Sequence, residues 1–147
     1  MNLMNQVPGW FYTQSGVIPY RVRTGEIEVM LITSRKRKRW VIPKGVVEPD
    51  LDPAESAAQE AWEEAGLVGQ VSSRSIGHYE YQKWGGVCRV EVFLLQVGNI
   101  LADWPEAEVR DRQWLSLEEA AGRVDEQELK RIILALPASL KPDGYVP

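Results

Sequence analysis

Residues 45–67 read GVVEPDLDPAESAAQEAWEEAGL, and the fold turns on this stretch. Asp52-Pro53-Ala54-Glu55 supplies a capping acid, a proline at the first helical position and a glutamate at the third. That pattern predicts a helix from about Pro53 to Ala65, ended by Gly66. Glu60, Glu63 and Glu64 stand at i, i+3 and i+4, so on a helix turning ~100° per residue they share a face. Like charges at these spacings cost a helix roughly 0.2–0.5 kcal/mol per pair. No lysine or arginine occurs between Lys44 and Arg74 to offset them. Beside them Ala54, Ala57, Ala58, Ala61 and Ala65 form a stripe of small residues, which lets the helix lie close to a sheet where water screens charge less. Two readings are open on these residues alone. One is a solvated acidic face. The other is a site for a hard divalent cation, magnesium or manganese, which takes oxygen ligands and bridges to substrate phosphates.

Working outward, Thr13–Arg23 reads as a strand interrupted by Pro19, hence an edge or bulged one. Thr24-Gly25 marks a turn, and Ile27–Thr33 is an apolar run suited to a buried strand. Trp40-Val41-Ile42 is a short strand stopped by Pro43. Val71–Trp84 alternates weakly, as one or two strands, and Val87–Val97 gives the strongest strand signal. Val109–Leu115 makes a last short strand. Ser116–Glu119 and Asp125–Glu128 repeat the capping-box spacing, and Leu129, Ile132, Ile133 and Leu136 form the apolar stripe of a final helix. One early helix and two late ones among many strands imply an α+β fold, a mixed sheet covered by helices on both faces.

A chain of 147 residues, 44% hydrophobic and 26% charged, suits one globular domain, expected over residues 1–147 with a core of about 13–136. No apolar run approaches the ~18 residues of a membrane span, and the start, MNLMNQVPGWFY, lacks a secretory pattern. Cys88 is the only cysteine and His78 the only histidine, which excludes a disulfide framework and a multi-cysteine zinc site. The net charge of −4 argues against a nucleic-acid-coating role. The expectation is a cytoplasmic protein, monomer or homodimer, without nucleic-acid or membrane partners.

The stretch Gly45–Leu67 resembles the Nudix box, G-x5-E-x7-R-E-U-x-E-E-x-G-U, where U is a bulky aliphatic residue. Gly45, Glu60, Glu63, Glu64, Gly66 and Leu67 match; Leu51, Gln59 and Ala61 stand where the first glutamate, the arginine and a larger aliphatic belong. Ser34-Arg35, Arg39-Trp40-Val41-Ile42-Pro43, Glu48-Pro49, Trp104 and Arg112-Gln113-Trp114 are similar to the diphosphoinositol and diadenosine polyphosphate phosphohydrolase branch of that family. The resemblance implies an α/β/α sandwich that cleaves a phosphoanhydride bond by attack of water, with divalent cations on the phosphates. It implies Glu60, Glu63 and Glu64 as metal ligands, together with the backbone carbonyl of Lys44. Glu64 or a glutamate outside the box, Glu106 or Glu108 ahead of Glu91, would take the proton, and Glu60, Glu64 and Glu106 are the expected catalytic residues. In the family the box arginine orients the glutamates, and Gln59 brings no charge.

The run Arg35-Lys36-Arg37-Lys38-Arg39 is either a solvated loop or a phosphate clamp. Arg35 and Arg39 match family positions, and arginine grips phosphate oxygens in pairs. Lys44, Gly45 and Arg89 complete the expected substrate-binding set. His78 and Cys88 read as structural, and Trp84 as core or a stacking surface. The reading is thus a magnesium- or manganese-dependent pyrophosphohydrolase of a small polyphosphorylated substrate, a dinucleoside polyphosphate first, a diphosphoinositol polyphosphate or nucleoside triphosphate next. The rivals are a phosphate-sensing module that has lost hydrolysis and an acidic-helix interaction protein without metal.

Overall fold

A computed structural model describes residues 11–83 and 85–140; the expectation for Trp84 lies outside them. In order the chain forms β1 (Phe11–Arg23), β2 (Glu26–Thr33), β3 (Trp40–Val41), β4 (Lys44–Val46), α1 (Pro53–Glu60) continued by a π-helical turn (Ala61–Ala65), β5 (Leu67–Val71), β6 (Gly77–Lys83), β7 (Gly86–Ile100), β8 (Arg112–Ser116), α2 (Leu117–Arg123), α3 (Gln127–Leu134) and α4 (Leu136–Leu140). The strands make one mixed sheet, β3-β2-β1-β7-β5, with β4 added to β1, β6 to β7 and β8 to β2. Among the described residues only β1 and β7 run parallel. This is the α+β architecture expected from the sequence.

The expectation for β1 is corrected: it lies in the middle of the sheet. Val17 donates its N–H to the Pro43 carbonyl at 3.1 Å, and alternate residues of a strand address the same neighbour, so position 19 faces that side too. There β4 pairs with Gln14–Gly16 and β2 begins pairing at Tyr20. The donor that Pro19 lacks falls between these two partners, and the ladder loses no bond.

Period-two alternation sorts two cores. Ile18, Tyr20, Val90, Val92 and Leu94 pack with Leu129, Ile133 and Leu136 on one face. On the other, Val17, Met30, Ile32, Phe93 and Leu95 pack against Ala57, Ala61 and Ala65, all three fully buried. The alanine stripe therefore seats the helix on the sheet, as its spacing implies. Capping boxes form at Asp52 and Ser116. The third does not: α3 starts at Gln127, so Glu126 rather than Asp125 stands at the cap, and it makes no side-chain bond there. The last strand begins at Arg112 rather than Val109, and Lys44–Val46 forms a further short strand, β4, just after Pro43.

Candidate active site

The π turn is what distributes the glutamates. A π turn holds more residues than an α turn, so Glu63 swings off the face that α-helical spacing assigns it. Glu60 and Glu64 are buried and Glu63 is half-buried. The end of the turn is fixed by the loop that follows β7. Trp104 Nε1 donates to the Glu64 carbonyl at 2.9 Å, Arg112 donates to the Ala65 carbonyl at 2.7 Å, and the Glu106 N–H donates to the Glu63 carbonyl at 3.1 Å. Arg112 also lies 3.8 Å over the Trp104 ring. These donors satisfy carbonyls that a helix end leaves open, with a cation at the negative end of the dipole. Gly66 ends the turn in the left-handed region at φ 68°, with Trp104 and Arg112 pressed where a side chain would stand.

Glu60 and Glu64 lie close enough to share a hydrogen bond. Burial, and then the charge of Glu64, push the Glu60 carboxyl up to about 8. Burial raises Glu64 as well, opposed by Arg110 and Lys44. Glu64 is anchored at both oxygens: the Lys44 N–H donates to Oε1 at 3.2 Å, and Arg110 Nη2 stands 3.4 Å from Oε2. Gly45 makes room for its neighbour, because a Cβ there would fall on the Glu60 carboxylate, 2.8 Å from Oε1 and closer to Oε2. Ser15 pairs with Gly45 across the strands, and its buried Oγ has no partner.

The donor set fits a divalent cation. Two buried carboxylates repel each other, and an unpartnered hydroxyl faces the same side of the sheet. Among the described residues no three His, Cys, Asp or Glu side chains form a ready cage. Two carboxylates, with water filling the remaining positions, suit a small hard cation that keeps part of its hydration shell.

A cleft of about 310 Å³ opens beside Glu64, lined by Gln14, Ser34, Arg35, Lys36, Lys38, Arg39, Val41, Lys44, Tyr81, Lys83 and Arg110. Arg35 and Arg39 are therefore brought to the site together with Lys44, whose ammonium lies 5.0 Å from the Tyr81 ring centre. Lost hydration in the cleft floor lowers the Lys44 ammonium to about 8, with Glu64 opposing. Arg37 is drawn away by Asp111 at 3.2 Å and the Glu108 carbonyl at 2.9 Å. Arg89 does not join the cleft: it sits one residue out of phase with Cys88 and Val90 on β7 and pairs across the strand with Glu80 at 3.1 Å. Glu106 does not line the cleft either; its carboxylate holds Arg35 at 3.3 Å and Arg110 at 2.8 Å. Glu91 accepts from Ser75 at 2.6 Å, elsewhere on β7. The residue the sequence reading missed is Arg110, brought to Glu64 from 46 positions along the chain by a contact that no helical spacing signals.

Residues 13–136 match the NUDIX domain. The chain belongs to the NUDIX family. It is 35% identical over 132 residues to Nudix hydrolase 13, mitochondrial, of Arabidopsis thaliana, covering 75% of this chain and 65% of that protein. It is 38% identical over 98 residues to diphosphoinositol polyphosphate phosphohydrolase 3-beta of Bos taurus, covering 65% of this chain and 58% of that one. It thus spans less than two thirds of the length of both relatives. Among solved structures, a C. elegans Ap4A hydrolase binary complex superposes with a TM-score of 0.73 at 26% identity, over 91% of this chain and 99% of the other. No helix among the described residues is long and apolar enough to cross a membrane.

Proposed function

We propose that the chain is a magnesium- or manganese-dependent hydrolase of a phosphoanhydride bond in a small polyphosphorylated molecule, acting as a single NUDIX domain in the cytoplasm. The observation behind this reading is the juxtaposition of the paired Glu60 and Glu64 with a cleft walled by Arg35, Lys36, Lys38, Arg39, Lys44, Lys83 and Arg110. Glu60 and Glu64, with the Lys44 carbonyl and Glu63 directly or through water, would hold the cation. When bound, such a cation offsets phosphate charge and makes water a stronger nucleophile.

The chain's own residues do the rest. Arg35 and Arg39 grip phosphate oxygens, and Lys44 supplies a charge at the cleft floor. Among the described residues Glu64 is the one carboxylate lining the cleft, so it is assigned the proton of the attacking water. Glu106 is assigned the anchoring of Arg35 and Arg110.

A dinucleoside polyphosphate is the first substrate, supported by the likeness to the C. elegans Ap4A hydrolase. A diphosphoinositol polyphosphate is the second, favoured by the seven basic side chains that line the cleft among the described residues. The test is phosphate release with magnesium, then manganese, from diadenosine tetraphosphate, a nucleoside triphosphate and a diphosphoinositol polyphosphate. Turnover of diadenosine tetraphosphate at the highest kcat/KM is expected; turnover of none would overturn the proposal, and magnesium-dependent binding without turnover would replace it with a sensor.

A further inference from the structure

We infer that Arg110 positions Glu64, acting from the loop before β8 in the place of a cation that the helix itself lacks. The inference rests on the hydrolase reading above. Gln59, the helix residue in the position where the box has arginine, is exposed and uncharged. Arg110, in contrast, is buried, with its side chain 9% exposed.

All three of its nitrogens are committed to protein oxygens. Nε donates to Glu106 Oε1 at 2.8 Å, Nη1 donates to the Thr33 carbonyl at 3.0 Å, and Nη2 faces Glu64 Oε2 at 3.4 Å. A guanidinium taken out of water is stable only when paired and hydrogen-bonded in this way. Its aim is fixed next door: Thr33 and Asp111 exchange two bonds, backbone N–H to carbonyl and backbone N–H to hydroxyl, both at 2.9 Å. The planar fork therefore ties the end of β2, the loop and the helix at one point. Because Glu106 also holds Arg35, the same node links the wall of the cleft to the carboxylate. Nε and Nη1 each spend an N–H on the protein frame and Nη2 faces Glu64, so the fork is held in the one orientation that aims it at that carboxylate.

Arg110→Met, which removes the fork at similar length, and Arg110→Lys, which keeps a charge, test this. The first readout uses Mn2+ alone, without substrate, titrated against each variant by paramagnetic resonance of the free ion. Partners that orient a ligand typically change metal affinity or activity by about 10–100-fold, and a loss of at least tenfold in Mn2+ affinity is expected for Arg110→Met. The second readout is the kinetic split: kcat should fall by a similar factor while KM stays within about threefold. Lysine has one ammonium for three acceptors, so Arg110→Lys should fall between the two, and circular dichroism shows whether each variant is folded. Unchanged or tighter Mn2+ binding, or a rise confined to KM, would overturn the inference. If Arg110→Met does not fold, wild-type behaviour of the folded Arg110→Lys would overturn it. Failure of the wild type itself to bind Mn2+ and to hydrolyse anything would instead overturn the hydrolase reading beneath it.

Discussion

Gly45→Ala is the smallest perturbation with a large expected consequence. A Cβ at position 45 would stand 2.8 Å from Glu60 Oε1 and nearer still to Oε2, where ordinary contact begins at 3.4 Å. Gly45 is not among the positive-φ residues, so alanine suits its backbone. β4 cannot retreat, because Gln14, Ser15 and Gly16 of β1 hold it in register. The Glu60 carboxylate is the far end of a flexible side chain, and it must be what yields, by about 1 Å. A misplacement of that size costs on the order of 100-fold in rate when the displaced group sets the geometry of the reaction. The expected outcome is a kcat/KM about 100-fold lower with diadenosine tetraphosphate and magnesium, with a melting temperature changed by no more than about 2 °C, roughly half a kcal/mol for a domain of this size. Full activity would refute the placement of Glu60 against Gly45. A large loss of melting temperature would refute the claim that the side chain, not the strand, gives way.

Two further outcomes follow from the same carboxylates and their surroundings. Glu60 is raised from 4.5 to about 8 in the folded chain, so between those values the folded state binds a proton that the unfolded state has released. Stability in the metal-free protein should therefore decrease as pH rises from 5 to 8, by up to about 1.4 kcal/mol per pH unit where the group titrates. Urea melts should show this slope, and saturating magnesium should flatten it; a metal-free stability that rises over this range would contradict the assignment. Gln59→Arg should leave kcat/KM equal or higher, since Arg110 already serves Glu64, and a loss beyond about tenfold would show that Gln59 has a role of its own.

The sequence disclosed the parts that local physics controls. The capping box at Asp52, the alanine stripe and the stop at Gly66 are all determined within a few residues, and they placed the helix that bears Glu60 and Glu64. Pro19 misled because a missing donor argues for an edge only when both neighbours pair continuously; here β4 and β2 leave a gap at that position. Glu63 misled because three- and four-residue spacing assumes an α-helix, and the turn from Ala61 to Ala65 is a π turn held by Trp104, Glu106 and Arg112. Arg89 was taken for a substrate ligand on residue type alone, whereas strand parity sets it on another face with Glu80. Arg110 could not be found from the helix, since its contact with Glu64 depends on how the β7–β8 loop folds back over the helix end. What local spacing decides was readable; what distant elements bring together was not.

The central claim, that Glu64 and its partner carboxylate support metal-dependent hydrolysis, is tested most directly by comparing the wild type with Glu64→Gln, which keeps the side chain's shape and removes its charge. Product release from diadenosine tetraphosphate would be followed during a magnesium titration of each. Turnover is expected to rise with magnesium in the wild type and to be lost, by about 100-fold or more, in a Glu64→Gln variant that still melts cooperatively. Substantial magnesium-dependent turnover in that variant would contradict the claim.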